Sequence, residues 1–350
     1  MSSPVPPAPQ EGDPDSDRDS TLGDASYVLS LCAVPSSHVM QRRLDHLNKE
    51  QHSGVSRTAR SHLSQIRFSE LYASNPKPAF TPLAPNINCS APNDETQNEM
   101  LDIGHHMYTL VLDNKLFLAP INPQAQNVLD VGTGTGIWAI DFADEHPSAT
   151  ITGTDLSPIQ PTWVPPNLKF EIDDAELEWT WADDWFDFVH MRALMGSIKD
   201  WPRLFNQAFR CTKPGGYIES FEVNIQFTSD DGSVRPGTTM YDWSQMFIDA
   251  GETMGQTFQI ASRSKKLIEE AGFVDVEEKK FKLPVGAWME DKKWKEIGRW
   301  NLLYLTTGLE GMQLWILKTV LGWEYTEIQA LSGKMRSAFL DKNNHAYYEM

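Results

Sequence analysis

From residue 127 onward, short apolar runs alternate with stretches of helical period. Residues 128–131 read as a buried strand, 150–154, 168–172 and 186–190 as further strands, and 217–223 as a fifth. Between them, 137–143 has helical spacing. A helix started by Pro202 carries the stripe Leu204, Phe205, Ala208 and Phe209 until Lys213-Pro214-Gly215-Gly216 stops it. Leu267, Ile268 and Ala271 mark the inner face of a further helix ended by Gly272, and 273–276 with 281–285 reads as a sixth strand. Strands alternating with helices of this length predict an α/β fold, a Rossmann-like, doubly wound, mostly parallel sheet of six to seven strands covered on both faces.

The flanks differ. Asn93 or Asp94 can cap a helix running through Met100, Ile103, Met107, Leu110 and Val111. After Trp288 the chain turns helical, with Met312, Trp315, Ile316, Val320 and Trp323 on one face. Residues 26–91 are mixed, with a helix expected over 39–49 and prolines at 76, 78, 82 and 85. Residues 1–25 hold five prolines and six acids against one Arg, a composition that buries too little surface to offset its ordering entropy and predicts a disordered head.

Charge and cysteine usage narrow the function classes. The 48 acidic and 30 basic side chains give a net charge of −18, which repels a phosphate backbone and argues against a nucleic-acid partner. The most apolar stretch near the C-terminus, 314–323, is broken by Lys318 and Gly322, short of the roughly 18 apolar residues of a membrane span. The first residues carry Pro, Ser and Asp where a secretory signal needs a basic and then an apolar segment. Cys32, Cys89 and Cys211 form no C-x-x-C, which suits a reducing compartment and offers no zinc cluster. A cytoplasmic location is expected, with the nucleus as the alternative.

The chemistry concentrates after the first strand, in Asp130-Val131-Gly132-Thr133-Gly134-Thr135-Gly136. Glycines at a strand-to-helix turn let the backbone approach a ligand while N–H groups at the helix start face its polar atoms. A dinucleotide fingerprint would place its third glycine at position 137, which is Ile137; the order G-x-G-x-G after an acid suits S-adenosylmethionine, which has no pyrophosphate. Asp155 ends the second strand nineteen residues beyond Gly136, where a carboxylate can accept both ribose hydroxyls. Asp173-Asp174-Ala175 ends the third strand and puts an acid near the adenine amino group; the same acids could instead cap the next turn. His190 and Met191, ending the fourth strand, are placed to flank the adenine or the sulfonium, with core packing the alternative for Met191.

The segments 127–138, Thr154-Asp155-Leu156-Ser157, 170–176, 186–192 and Lys213-Pro214-Gly215-Gly216-Tyr217-Ile218-Glu219 resemble class I S-adenosylmethionine-dependent methyltransferases. Pro92-Asn93-Asp94-Glu95, Leu101-Asp102 with His105-His106, Lys115-Leu116-Phe117-Leu118-Ala119-Pro120 and His190-Met191-Arg192 narrow the resemblance to the LaeA-like methyltransferases of fungal secondary metabolism, which include a velvet-associated regulator. The likeness covers about residues 92–348. It implies a helical lid over 92–126 above an S-adenosylmethionine-binding α/β core at 127–286 and a C-terminal helical layer at 287–350. Residues 1–25 are then the disordered head and 26–91 a variable N-terminal extension. The chain departs from the family where Gln97 and Met100 replace a common Glu and Arg, and in lacking a Tyr-rich, Gly-Arg-Arg-containing segment within 26–91. It stops at Ala346-Tyr347-Tyr348-Glu349-Met350, short of the family's Gly-x-Lys-Pro-like ending, which predicts weakened pairing at the sheet edge.

Catalytic candidates are fewer. His105 and His106 are adjacent on a predicted helix, so at most one faces the site; His106 is the candidate, against a hydrogen-bonded structural histidine. Glu222 stands at the C-terminal end of the fifth strand, with Glu219 on the opposite face, and a structural acid is its alternative. Trp163, Trp179, Trp181, Trp185 and Trp201 offer an aromatic wall or, more commonly, packing. The turn used by nucleic-acid amino-methyltransferases, Asn/Asp/Ser-Pro-Pro-aromatic, is replaced by His190-Met191-Arg192-Ala193. The expected function is methyl transfer by in-line displacement to a small-molecule secondary metabolite. The alternatives are a regulatory subunit with a velvet-type protein partner, or a repurposed cyclase of the same fold.

Overall fold

The structure, a computed structural model, describes residues 94–350; the predicted head, the extension over 26–91 and the helix over 39–49 lie outside the described residues. Helix α1 (Glu95–Val111) starts where Asp94, in extended conformation, accepts the Gln97 amide at 2.9 Å. Strand β1 (Asn127–Val131), helix α2 (Ile137–Glu145), strands β2 (Thr150–Asp155), β3 (Leu168–Ile172) and β4 (Phe186–Arg192), helix α3 (Trp201–Cys211) and strand β5 (Thr212–Phe221) follow. All five strands are parallel, in the order β3-β2-β1-β4-β5. The chain therefore reverses direction of travel across the sheet between β1 and β4, the switch point where doubly wound sheets open a crevice at their C-terminal edge.

Two expectations need correction. Lys213-Pro214-Gly215-Gly216 lies inside β5, where the register slips between the Phe186–Thr212 and Phe188–Tyr217 pairs; a proline is tolerated at such an irregularity because no ladder bond is demanded of it. The proposed sixth strand shrinks to β6 (Lys282–Pro284) and leaves the parallel sheet, because Asp275 turns at φ 56° and residues 277–280 are exposed. β6 instead pairs antiparallel with β7 (Tyr347–Glu349). The seven strands among the described residues thus divide into a sheet of five and a ribbon of two.

Helices α4 (Thr239–Met254), α5 (Ser264–Ala271), α6 (Lys292–Trp315) and α7 (Tyr325–Leu340) complete the chain, with one π-helical turn, Ile316–Val320, after α6. The core has two parts. One lies between the sheet and helices α3 and α5, where Trp179 and Trp201 are buried and the Trp179 and Trp181 rings meet edge-on at 5.4 Å. Arg210 fixes this pair by donating to the Trp179 and Trp181 carbonyls, so these tryptophans pack beneath α3, while Trp163 and Trp185 are exposed. The second part gathers α1, α4, α6, α7 and the ribbon. Buried polar groups there are satisfied in pairs: Trp243 donates to Gln313, which donates to Ser332, and Tyr348 donates to Asn301 at 2.6 Å. Helix α1 lies close against α6 because Gly308 has no side chain; a Cβ there would stand 1.8 Å from the Met100 sulfur.

The outer edge of β5 has no ladder partner among the described residues. A groove of about 1080 Å³ runs beside it, bordered by residues 272–281 and ending at Glu349 and Met350. Thr228 and Tyr347 exchange both backbone hydrogen bonds at 2.9 Å and the Asn224 amide donates to Glu349 at 2.7 Å, so β7 runs antiparallel to the chain leaving β5. Residues added after Met350 would continue along the open edge. Appending a strand-forming segment of about six residues should therefore raise the melting temperature, by about 2–4 °C for each kcal/mol gained; an unchanged transition in differential scanning calorimetry would show that the segment does not pair there.

Candidate active site

The glycine loop sits between β1 and α2 as predicted. Gly132, Gly134 and Gly136 all have positive φ, 66°, 59° and 78°. Gly134 is the one with room above it: a Cβ there would meet only Leu101 of α1, at 3.4 Å. A ligand can thus approach this backbone closely. Asp155, at the end of β2, accepts the Gly134 amide at 2.8 Å and the Ser157 amide at 2.9 Å. Burial raises its pKa, although these amides oppose the shift. Each oxygen keeps a second lone pair, so the carboxylate remains able to accept two hydroxyls. Gln160 donates to the Gly134 and Ser157 carbonyls and clips the loop from the far side.

Asp130 is beneath the loop, 3% exposed. It accepts Thr133 Oγ1 at 2.5 Å and pairs with His190 Nδ1 at 2.7 Å, which uses both carboxylate oxygens to shape the loop. His190, expected beside the adenine, is held in the interior with its ring stacked on Trp138 at 3.6 Å and 3°. Asp173 and Asp174 are half-buried at the end of β3 beside Ala175; Asp173 accepts the Asp174 amide and Asp174 accepts the Glu176 amide, the turn-capping arrangement raised as their alternative. The crevice edge thus carries Asp155, Gly134, Asp173, Asp174 and Ala175, with Asp130, His190, Gly132 and Gly136 building its floor.

Both catalytic candidates have structural partners. His106 points away from the sheet and meets Trp300 of α6 edge-on at 4.5 Å, because neighbouring helical positions diverge by about 100° and α1 is covered on two sides. His105 is the inward residue: Nε2 is 3.0 Å from Asp141 and Nδ1 is 3.2 Å from Arg192. A guanidinium only donates, so Nδ1 accepts and Nε2 carries the proton toward Asp141; burial foremost lowers the pKa and keeps the ring neutral. Glu222 accepts the Leu194 and Met195 amides at 3.0 and 3.1 Å and thereby holds the loop after β4, where Ala193 has φ 56°. Glu219, on the other face, accepts the Leu118 and Ala119 amides, both at 2.7 Å, and anchors the segment joining α1 to β1.

Sequence reasoning missed Arg192, Tyr108, Thr135 and Gln160. Thr135 donates to Asp102 at 2.8 Å and ties the loop to α1. Arg192 is readable in retrospect from period two: it shares a face with His190 and sits one step nearer the crevice.

A family model described as a methyltransferase domain matches residues 103–278. The chain belongs to that family. This methyltransferase is 40% identical to "Methyltransferase pytC" of Aspergillus terreus over 74% of its own length and 80% of the relative's. It is 35% identical to "Secondary metabolism regulator LAE1" of Cochliobolus heterostrophus, over 73% and 85%, and 32% identical to "Probable methyltransferase tdiE" of Emericella nidulans, over 73% and 80%. Its cofactor is S-adenosylmethionine, and the donor set fits: an acceptor carboxylate at Asp155 for hydroxyls and an open glycine backbone at Gly134.

Two outcomes follow for the methyltransferase. Asp155→Ala should weaken S-adenosylhomocysteine binding at least tenfold, since each hydrogen bond to a charged group is worth roughly 1.5–3 kcal/mol; titration calorimetry showing unchanged affinity would remove Asp155 from the site. Burial raises the Glu222 pKa from 4.5 to about 8. The unfolded chain therefore releases this proton first, and native stability falls as pH rises from about 4.5 to about 8. Melting temperatures of Glu222→Gln should lack that part of the decline, whereas parallel profiles for the two proteins would contradict the assignment.

Proposed function

We propose that this methyltransferase acts on a small-molecule acceptor of fungal secondary metabolism, in line with relatives named methyltransferase pytC, tdiE and secondary metabolism regulator LAE1. The observation that carries the reading is the roof over the switch point. Helix α1 is bonded to the glycine loop through Thr135 and Asp102 and is itself packed under α6, so an acceptor must fit inside the crevice. A polymer would need an open groove there. The charge of −18 disfavours nucleic acid on independent grounds.

When bound, the cofactor supplies a methyl group on a sulfonium, already activated for in-line displacement. The protein's task is then mainly positioning and water exclusion. Asp155 and the Gly134 backbone would hold the nucleoside end, Asp130 and Gln160 keep the loop in shape, and the α1 roof excludes solvent. Neither His106 nor Glu222 is placed to take a proton from an acceptor, as the first faces Trp300 and the second is bonded to two amides.

A second reading, a regulatory subunit working through a velvet-type protein partner, is favoured by the regulator names among the relatives. Purified protein given S-adenosylmethionine and a fungal metabolite extract should release S-adenosylhomocysteine and yield a product heavier by one methyl group. Turnover that appears only with a stoichiometric partner protein would favour the regulatory reading, and an acceptor of unchanged mass converted to an isomer would indicate a cyclase.

A further inference from the structure

Leu101, Asp102 and His105 share the inward face of α1. Leu101 lies over the Gly134 backbone, where a Cβ would meet it at 3.4 Å, and Asp102 accepts the Thr135 hydroxyl at 2.8 Å. A nucleoside held by Asp155 and the Gly134 backbone therefore has this face for its cover. His105, 2% exposed, makes the third contact and bridges two further elements: Nε2 is 3.0 Å from Asp141 of α2, and Nδ1 is 3.2 Å from the Arg192 guanidinium at the end of β4. Met100, packed against Gly308, ties α1 to α6, so the contacts that can part are those to the loop and the sheet.

The contact between His105 and Arg192 holds for one charge state only. A guanidinium has donors and no acceptor, so Nδ1 must offer its lone pair and the ring must be neutral. Protonated, Nδ1 would turn an N–H toward an N–H and set a second positive charge beside Arg192. The Tyr108 ring, whose centre is 5.4 Å from the guanidinium carbon, keeps that cation against α1 in either case. The groups facing the imidazole are Asp141 from α2, Arg192 from β4 and His106 from its own helix. Asp141 favours the charged ring, and burial foremost, with Arg192 and His106, outweighs it. On α6, Tyr304 acts on Arg192, and Glu296 acts on the outward His106. Seated, the ring has a pKa below its usual 6.5; freed to water, it returns to that value. The unseated form thus takes up a proton first, so the seat is fully stable above about pH 6.5 and weakens as pH falls.

We propose that His105 is a proton-operated latch on the roof: α1 stays seated over the glycine loop while the imidazole is neutral, and protonation unseats it and frees the bound nucleoside. His105 is in this role a positioning residue. It acts on the cofactor through α1, whichever acceptor the enzyme takes.

The test follows the release of radiolabelled S-adenosylhomocysteine from the full chain into an excess of unlabelled ligand, at fixed ionic strength. Between about pH 7.5 and about pH 5.5, release from the native protein should quicken about threefold to tenfold more than release from His105→Gln. Tenfold is roughly the most that one proton can deliver over this range when the open-state pKa is near 6.5. Gln keeps a donor for Asp141 and cannot titrate. Asp155 and Glu222, whose pKa values burial raises, are common to both proteins and cancel in the comparison. Equal pH dependence in the two proteins, or native release that does not quicken, would overturn the proposal. Should His105→Gln not fold, nitrogen NMR of the native protein decides. A neutral ring carrying its proton on Nε2 at neutral pH, and titrating together with faster release, is the expected result. A ring protonated on Nδ1 at neutral pH, or one that titrates while release stays constant, would rule the latch out.

Discussion

Much of this structure depends on a carboxylate that hardly meets solvent. Asp130 gives one oxygen to Thr133 in the glycine loop and the other to His190 on β4, so a single side chain spans the point where the sheet reverses. Removing either partner would leave a buried charge half-satisfied, which typically costs several kcal/mol. The loop and β4 are therefore set relative to each other. Trp138, stacked on His190, locks the arrangement from the α2 side. Two positions follow from it: Gly134 is presented to Asp155, and Arg192, two residues beyond His190, reaches His105 of α1.

The parts of the fold readable in the sequence are those dictated by neighbours along the chain. The central strand Asn127–Val131, buried along its length, gives a short apolar run, while the bounds of the third, Leu168–Ile172, agree residue for residue although it lies exposed at the sheet edge. The glycine spacing and the acid nineteen residues on lead to the loop and Asp155 for the same reason, since both belong to one strand-turn-helix-strand unit. The apolar run at 273–276 misleads because backbone conformation at Asp275, not hydrophobicity, decides whether it pairs. Helix α4 was passed over: Thr238 makes no side-chain cap, and its stripe of Met240, Trp243, Phe247 and Ile248 is explained only by a second core assembled from distant helices.

The site divides along the same line. That His105 and not His106 turns inward is settled by which side of α1 meets the sheet and which meets Trp300. No local pattern distinguishes two adjacent histidines. Glu222 has the burial and raised pKa of a functional acid, yet two backbone amides explain its position. Perturbed titration marks candidates, and the hydrogen-bond partners decide among them.

This division has a consequence for how the fold is used. The cofactor side is built from contiguous sequence and two short hydrogen bonds to backbone amides, so it tolerates little variation. The roof side is assembled from α1, β4 and α6, elements distant in the chain, as the 87-residue separation of Arg192 and His105 illustrates. The Asp155 bonds lie on β2 and the loop between strand and helix, whereas Asp130 ties that loop to β4 through His190. Close packing of α1 on α6 at Gly308 holds the roof at a fixed height.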